Sequence, residues 1–386
     1  MFLFKLLLKN AFRHKLRTML TMVGLIVAIS AYGLLRTVVY AWYANVDATS
    51  STRLITRSAI SVGAPLPLYY AEQIKKVEGV TSVTWVNWFG GIYVDRRNFF
   101  ARLAIDGPSY FPMYPEFKLS EEAKRDFIAD RQGCIIGRKT AERFGFKVGD
   151  TIPISGTIFP GNWNFNIRGI YAGEDARTDE TLMFIHYGLV TESVRKRLGS
   201  GIANQVGLFM VGIKEPSHAS AVSQRIDAIF KNSVAETRTE TEKAFQLGIV
   251  SMSQAILLAI QAVSFVVVLI IMAVMANTMT MTARERLAEY ATLKALGFSP
   301  SFVVKLLFGE SLMIAAIGGA IGIAATFPLA AGFLAQTNNL FKIFTISTET
   351  MLYQAGAALI VGIVAAIWPS WKMSRIDIVQ GLRHVA

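Results

Sequence analysis

The sequence predicts a membrane α-helical protein: four transmembrane helices, with a large α+β, bilobed domain inserted between the first and the second. Three observations predict it. The 386 residues are 53% hydrophobic and only 17% charged, with a mean hydropathy of +0.41. Four runs, 18–43, 251–280, 306–335 and 351–371, are each about 20 residues or longer and nearly free of charge, enough as helices to cross ~30 Å of hydrocarbon. Residues 44–250, by contrast, have the texture of a water-facing domain. A soluble protein's buried helices would be shorter and more often interrupted.

The first span begins after seventeen residues, with no small-residue cleavage site behind it, and reads as a retained anchor. The opening "MFLFKLLLKNAFRHKLRT" spaces Lys5, Lys9 and Arg13 four apart, on one helical face. Residues 1–17 are therefore expected to form an amphipathic helix in the membrane interface. Lys15 and Arg17 add to this basic flank, Arg284, Arg286, Lys294 and Lys305 lie between the second and third spans, and Lys372, Arg375 and Arg383 follow the fourth. The loop 336–350 has one basic residue, Lys342. The positive-inside rule then places both termini and residues 281–305 in the cytoplasm, and 44–250 outside. The expected location is a bacterial inner (cytoplasmic) membrane, crossed several times, with the large domain periplasmic or extracellular.

The formal charge of +12 invites a nucleic-acid reading. Residues 44–250 hold 25 Lys+Arg against 22 Asp+Glu, whereas the rest holds 14 against 5. The excess borders membrane, where it orients spans and meets anionic lipid headgroups. Membrane lipid is thus an expected partner and nucleic acid is not. Cys134 is alone, so no intramolecular disulfide supports the external domain, and its roughly 200 residues must supply their own core.

Within that domain, "LPLYYAEQIKKVEGVTSVTWV" reads as a short helix with Pro67 in its first turn, a turn at Glu78-Gly79, and a strand. "ARLAIDG" and "QVGLFMVGI" are strand-like. "HASAVSQRIDAIFKN" is an amphipathic helix with Ala221, Ile226, Ile229 and Phe230 on or near one face. A block at about 112–204, with "DTIPISG", "FNIRGIYAG" and "TLMFIHY", is a β-rich insert between the two strand–helix units. After residue 250 one helix is expected to run unbroken into the second span, since no Pro or Gly cluster interrupts it.

No motif for catalysis emerges. "GCIIGRKT" has three residues between its glycines where a phosphate-binding loop needs four, and Arg138 precedes Lys139. The four histidines, His14, His186, His218 and His384, are scattered, and Cys134 has no CxxC partner. No Gly-x-Ser-x-Gly elbow or HExxH pair is present. Neither a metal, a catalytic residue nor a cofactor is expected in this chain.

The informative stretch is "MTARERLAEYATLKALGFSPSFVVK", residues 281–305. Arg284, Glu285, Arg286 and Glu289 crowd its first turns; Tyr290, Leu293, Lys294 and Leu296 follow, with Gly297 as the stop. A short amphipathic helix between two spans, with an apolar tip directed away from the bilayer, suits a groove on another protein. In the third span, Gly318 and Gly322 form a small-xxx-small pair for close helix contact. Glu310, near the start of that span, is expected to pair with a neighbouring cation such as Lys305 or to cap the loop.

"RERLAEYATLKALGFSPSFVVKLLFGESLMIAAIGGAIG" resembles the signature of the FtsX-like permease domain of MacB-type (type VII) ABC transporters. "LLLKNAFRHKLRTMLTMVGLIVAISA" resembles that family's entry helix and first span, and "CIIGRKTAERFGFKVGDTIPI" a stretch of its periplasmic core domain. "PSWKMSRIDIVQGLRH" resembles its tail, although the family usually has a proline near Ile378. The resemblance implies a dimer of permeases, with a second copy or a paralogue, plus two ATPase subunits that bind ATP and Mg. No ATPase domain is fused here, so the ATPase is expected as a separate chain. It also implies mechanotransmission: ATPase closure moves the spans and reshapes the external domains. Arg284 to Gly297 would be the coupling helix, with Glu285 and Glu289 meeting the ATPase by polar contacts and Leu293 and Leu296 by packing. The implied function is export or extraction of lipophilic, lipid-linked or peptide cargo, with a periplasmic adaptor and outer-membrane channel as further partners. The alternative from the same fold is an FtsX-like signalling subunit that activates a cell-wall hydrolase.

Overall fold

The computed structural model describes residues 13, 15–44, 49–175, 177–199, 203–337 and 344–375. The expected interface helix (1–17) and cytoplasmic tail (372–386) therefore lie largely outside the described residues, as do residues 338–343 of the short loop. The chain divides into two compact units, one holding the long apolar helices and the other spanning Trp42–Met252.

Four helices are long and apolar enough to cross a membrane. They are α1 (Lys15–Ala44), α9 (Gln254–Glu285), α11 (Pro300–Gln336) and α12 (Thr348–Ser374), with the short α10 (Leu287–Ala295) between α9 and α11. Each helix runs past the C-terminal end of its expected apolar run, and all but α9, which starts at Gln254, also begin before it, because polar end residues continue the backbone ladder into the flanking segments. Ser347 caps α12 by accepting a hydrogen bond from the Thr350 amide at 3.2 Å. The α1, α9, α11 and α12 helices share one core that includes Leu25, Ile29, Ile271, Met275, Leu307, Ala315, Ala358 and Val361. Small residues let the backbones approach. A Cβ on Gly318 would stand 2.8 Å from Leu25, and one on Gly322 would stand 2.9 Å from Ile29. On other faces, Gly319 meets Ala358 and Gly362 meets Ala315, each at 2.7 Å.

Polar side chains fasten the same bundle. Gln354, fully buried, donates to the Ile29 carbonyl at 2.9 Å and to the Thr326 hydroxyl at 2.8 Å. Ser311 donates to the Gly362 carbonyl at 2.6 Å. With no water in the hydrocarbon, such groups hold helices together by the cost of leaving them unpaired.

The second unit is α+β. In chain order it comprises β1 (Arg53–Ser58), β2 (Leu66–Pro67), α2 (Tyr70–Ile74), β3 (Val80–Trp88), β4 (Arg102–Ile105), α3 (Gly107–Met113) and β5 (Phe117–Lys118). Then follow α4 (Glu121–Ala129), β6 (Gly133–Gly137), α5 (Arg138–Phe144), β7 (Thr151–Gly156), β8 (Gly161–Gly173), β9 (Met183–His186) and α6 (Tyr187–Leu198). The unit closes with β10 (Gln205–Val206), β11 (Leu208–Ile213), α7 (Ala219–Ile229), β12 (Thr237–Thr241) and α8 (Glu242–Met252).

Its main sheet has the order β12-β1-β11-β3-β4-β9-β6-β8-β5, with β7 paired to β8, while β2 and β10 form a separate ribbon. The β4–β9 and β6–β8 pairs are parallel and the others antiparallel. The β-rich insert thus continues the sheet of the flanking units through β4–β9, and one core, with Ile55, Val86 and Met210 beside Ile135, Tyr171 and Phe184, is shared by both while two others lie on either side. Leu54, Val83, Phe209 and Val211 face α2 and α7 and pack on Ile74, Ile226 and Phe230. In the insert, Phe89, Cys134, Ile136, Ile152, Phe165 and Ile185 form a second core.

Three local expectations change. Pro67 pairs with Gln205 in the β2–β10 ribbon, and the helix starts only at Tyr70. The buried face of α7 is Ala219, Val222, Ser223 and Ile226, with Phe230 just beyond; Ala221 and Ile229 are exposed. The i, i+3, i+4 stripe fits that set better than the one centred on Ala221. Finally, no single helix runs through residue 253: α8 ends at Met252 and α9 begins at Gln254, with Ser253 outside helical geometry at ψ 7°.

Candidate functional site: the segment between the second and third spans

Residues 281–305 are three pieces, not one helix. Arg284 and Glu285 finish α9, Arg286 breaks the ladder, α10 runs Leu287–Ala295, and α11 already begins at Pro300. The end of α10 is a Schellman turn. Gly297 adopts φ +91°, its amide donates to the Lys294 carbonyl at 3.0 Å, and the Phe298 amide donates to the Leu293 carbonyl at 3.1 Å. Pro300, two residues on, starts the next helix with a φ already suited to it.

Of the charges in the first half, Arg286 alone is turned inward. Arg286 is buried and reaches both Glu310 of α11, at 2.5 Å, and Glu289 of α10, at 3.0 Å. Its guanidinium also lies 5.2 Å from the Tyr290 ring centroid. Burial opposes the Arg286 charge, but Tyr290, Glu310 and Glu289 outweigh it and hold the guanidinium protonated more firmly than usual. Partial burial pushes the Glu289 carboxyl up, yet hydrogen bonds from Arg286 and Arg13 prevail and keep it below the usual carboxylate range. Burial pushes the Tyr290 hydroxyl up, and no hydrogen-bond partner meets it among the described residues.

The segment is tied to the neighbouring helices. Arg17 of α1 makes two hydrogen bonds to Glu285, at 2.6 and 2.7 Å, and Arg13 pairs with Glu289. Lys294 donates to the carbonyls of Met373 and Ser374, at 3.3 and 2.8 Å, where the C-terminal dipole of α12 favours a cation. Leu293 packs partly buried against the helix core. Hydrogen-bonded charges thus tie α9 to α1 through Glu285 and Arg17, α10 to α11 through Glu289, Arg286 and Glu310, and α10 to the end of α12 through Lys294.

The second half is apolar and exposed. Leu296 is 72% exposed and Phe298 44%, with Phe298 against Phe302 at 4.9 Å between ring centroids. Arg284 and Gly297 are exposed as well. An exposed leucine alone means little, but two apolar side chains on one rigid turn form a patch that is costly to leave in water.

The positions expected from sequence divide accordingly. Arg284, Leu296 and Gly297 are outward-facing, whereas Arg286, Leu293 and Lys294 are engaged inside the bundle. Glu285 and Glu289, expected to face a partner, hold Arg17 and Arg13 of the same chain instead. Glu310 pairs with Arg286 and not with Lys305, which points to the surface; a buried carboxylate takes the buried cation, since an exposed one would leave Arg286 uncompensated. Arg13, Arg17, Met373 and Ser374 were not anticipated as part of this site. A signal was available for two of them, because Arg13 and Arg17 repeat the four-residue spacing of Glu285 and Glu289. Among the described residues no cluster of His, Cys, Asp or Glu could hold a metal ion.

Comparison with known proteins places this arrangement in a class. Residues 262–378 match the FtsX-like permease C-terminal domain and residues 18–229 the MacB-like periplasmic core domain. The chain belongs to the FtsX/MacB type of ABC transporter permease. An uncharacterized ABC transporter permease of Methanocaldococcus jannaschii is 22% identical over 97% of this chain and 96% of its own length. The macrolide export ATP-binding/permease protein MacB of Campylobacter fetus subsp. fetus is 23% identical, over 67% of this chain and 39% of that protein. Among solved structures, the extracellular domain of the noncanonic ABC-type transporter YknZ from Gram-positive bacteria is similar, with 13% identity and a TM-score of 0.35. It covers 49% of this chain and 100% of that domain.

Proposed function

We propose that this chain is a permease subunit that couples ATP hydrolysis by a separate ATPase to conformational change in its external domain. In that reading residues 281–305 and both termini are cytoplasmic, and the domain between the first two spans is periplasmic or extracellular. The chain itself is not an enzyme and binds no cofactor; ATP and Mg belong to the partner. The observation that carries the reading is the apolar tip Leu296–Phe298, exposed on a turn whose preceding helix is bonded through Lys294 to the end of α12 and through Glu289 and Arg286 to α11. A groove on the ATPase would cover the tip, and closure of the ATPases would move α10 and the helices bonded to it. The working unit is a dimer with a second copy or a paralogue. The work done is export or extraction of lipophilic, lipid-linked or peptide cargo, with an adaptor and an outer-membrane channel as further partners.

Co-purification from membranes tests this. A separate ATPase should be recovered with the chain, and an ATPase-inactive complex should retain cargo in the inner membrane. Cargo movement that is normal while a cell-wall hydrolase stays inactive would overturn export in favour of signalling.

A further inference from the structure

The α+β unit carries a cleft of about 1000 Å3, at the top of the ~300–1,000 Å3 range typical of ligand sites. Strand register builds its floor. Ile55 opposes Met210, Leu208 opposes Val86, and Trp88 opposes Leu103, so these side chains share one sheet face. Phe245 of α8 closes the apolar lining. The strands beneath are interior ones: β11 is paired on both edges, by β1 and β3, and β3 by β11 and β4. An extended peptide laid there would find no free main-chain edge for its own N–H and C=O groups. A hydrocarbon chain needs none.

The rim determines the polar end. Its carboxylates are engaged: Glu116 and Glu242 hold Arg53 at 2.7 and 2.9 Å, Glu174 holds Lys118, Asp175 holds Arg177, and Asp179 accepts from Thr181. The Arg97 guanidinium, exposed at the same rim, is in no ion pair among the described residues, while the Arg97 amide donates to the Asp95 carboxylate at 2.8 Å. Arg143 donates to the carbonyls of Phe99 and Arg97, at 3.2 and 3.5 Å, and so fixes the backbone that presents the Arg97 guanidinium. Beside it, Trp88 and Phe99 stack at 6.3 Å while remaining about half exposed. An apolar floor, an exposed aromatic pair and an exposed guanidinium outside any ion pair together match an amphiphile with a negative head.

We infer that this cleft binds an anionic lipid, its hydrocarbon chain along Leu103, Leu208 and Phe245, above the buried Ile55, Val86 and Met210, and its phosphate at Arg97. This deepens the export reading by naming a ligand class and the place that receives it.

The test uses the full chain in nanodiscs of zwitterionic phosphatidylcholine, without ATPase or nucleotide. A lysophosphatidic acid with a diazirine in its chain is the probe, and the same chain with a phosphocholine head is the control. Photolabelling should map by peptide mass spectrometry to 86–103 and 208–210 and should favour the anionic probe. Arg97→Glu, at an exposed position that leaves the fold intact, should lower anionic labelling by about tenfold, as losing a charge-assisted hydrogen bond requires. Leu208→Gln should lower labelling by both probes. Labelling confined to the spanning helices, or equal for the two heads and indifferent to Arg97→Glu, overturns the inference. Because no ATPase is present, that failure leaves the coupling reading standing, while labelled cleft without any ATP-driven cargo movement would overturn only the export reading.

Discussion

The two halves of the 281–305 segment invert the usual rule for a water-facing stretch. In its charged half Arg286 is buried against Glu310, and Glu285 and Glu289 hold Arg17 and Arg13 at the surface, while the apolar Leu296 and Phe298 face out. Charge here serves cohesion, and on the proposed function hydrophobicity serves recognition. The buried members explain why: Arg286 at the bundle's edge needs carboxylates to offset its desolvation, so acids that composition alone assigns to the surface are drawn in.

Breaking the charged half should have the largest effect. Glu310→Ala leaves Arg286 buried with Glu289 as its remaining carboxylate, and should destabilise the helical unit by about 3–5 kcal/mol. Thermal unfolding in detergent would show this as a large drop in midpoint, and an unchanged midpoint would deny the network a structural role. Replacing both partners, Arg286→Met with Glu310→Leu, should recover most of the loss.

The turn inside the apolar half comes next. Gly297→Val puts a β-branched side chain at φ +91°, which should cost ~1–2 kcal/mol and misdirect Leu296 and Phe298. Reduced ATPase association with only a modest change in midpoint is the expected pattern.

Glu289→Gln should cost less than Glu310→Ala, because the pair with Arg13 is solvent-exposed and the amide oxygen of the new side chain can still accept from Arg286 while Glu310 keeps its charge. The pH dependence has a definite sign. Since the folded-state Glu289 carboxyl is held below its ordinary value, its contribution is complete above the unfolded carboxylate value of ~4.3 and is lost as pH falls through the lower folded value. The difference between Glu289→Gln and the parent should therefore be constant near neutrality and vanish in strong acid.

Much of this was legible beforehand. Four spans followed from long uncharged runs, and the tip followed from a glycine stop after an amphipathic stretch. The small-residue positions Gly318 and Gly322 do stand against α1 in the structure. What escaped the sequence was pairing across long separations. Glu310 is five residues from Lys305 and twenty-four from Arg286, and only the packed bundle shows which cation shares its burial. Gln354 likewise is a lone polar residue in an apolar run, and only the packed bundle shows that it fastens α12 to α1 and α11. The break at Ser253 had no Pro or Gly to announce it. The cleft in the α+β unit was invisible for a related reason: its floor comes from four strands whose order, β1-β11-β3-β4, is not their order in the chain.

The most direct measurement of the central claim is ATPase association by the Leu296→Glu variant. The side chain is 72% exposed, so stability should change by no more than about 0.5 kcal/mol. The predicted result is loss of the ATPase on co-purification, with the permease still in the membrane and its unfolding midpoint unchanged. An ATPase that remains bound to Leu296→Glu would contradict the account.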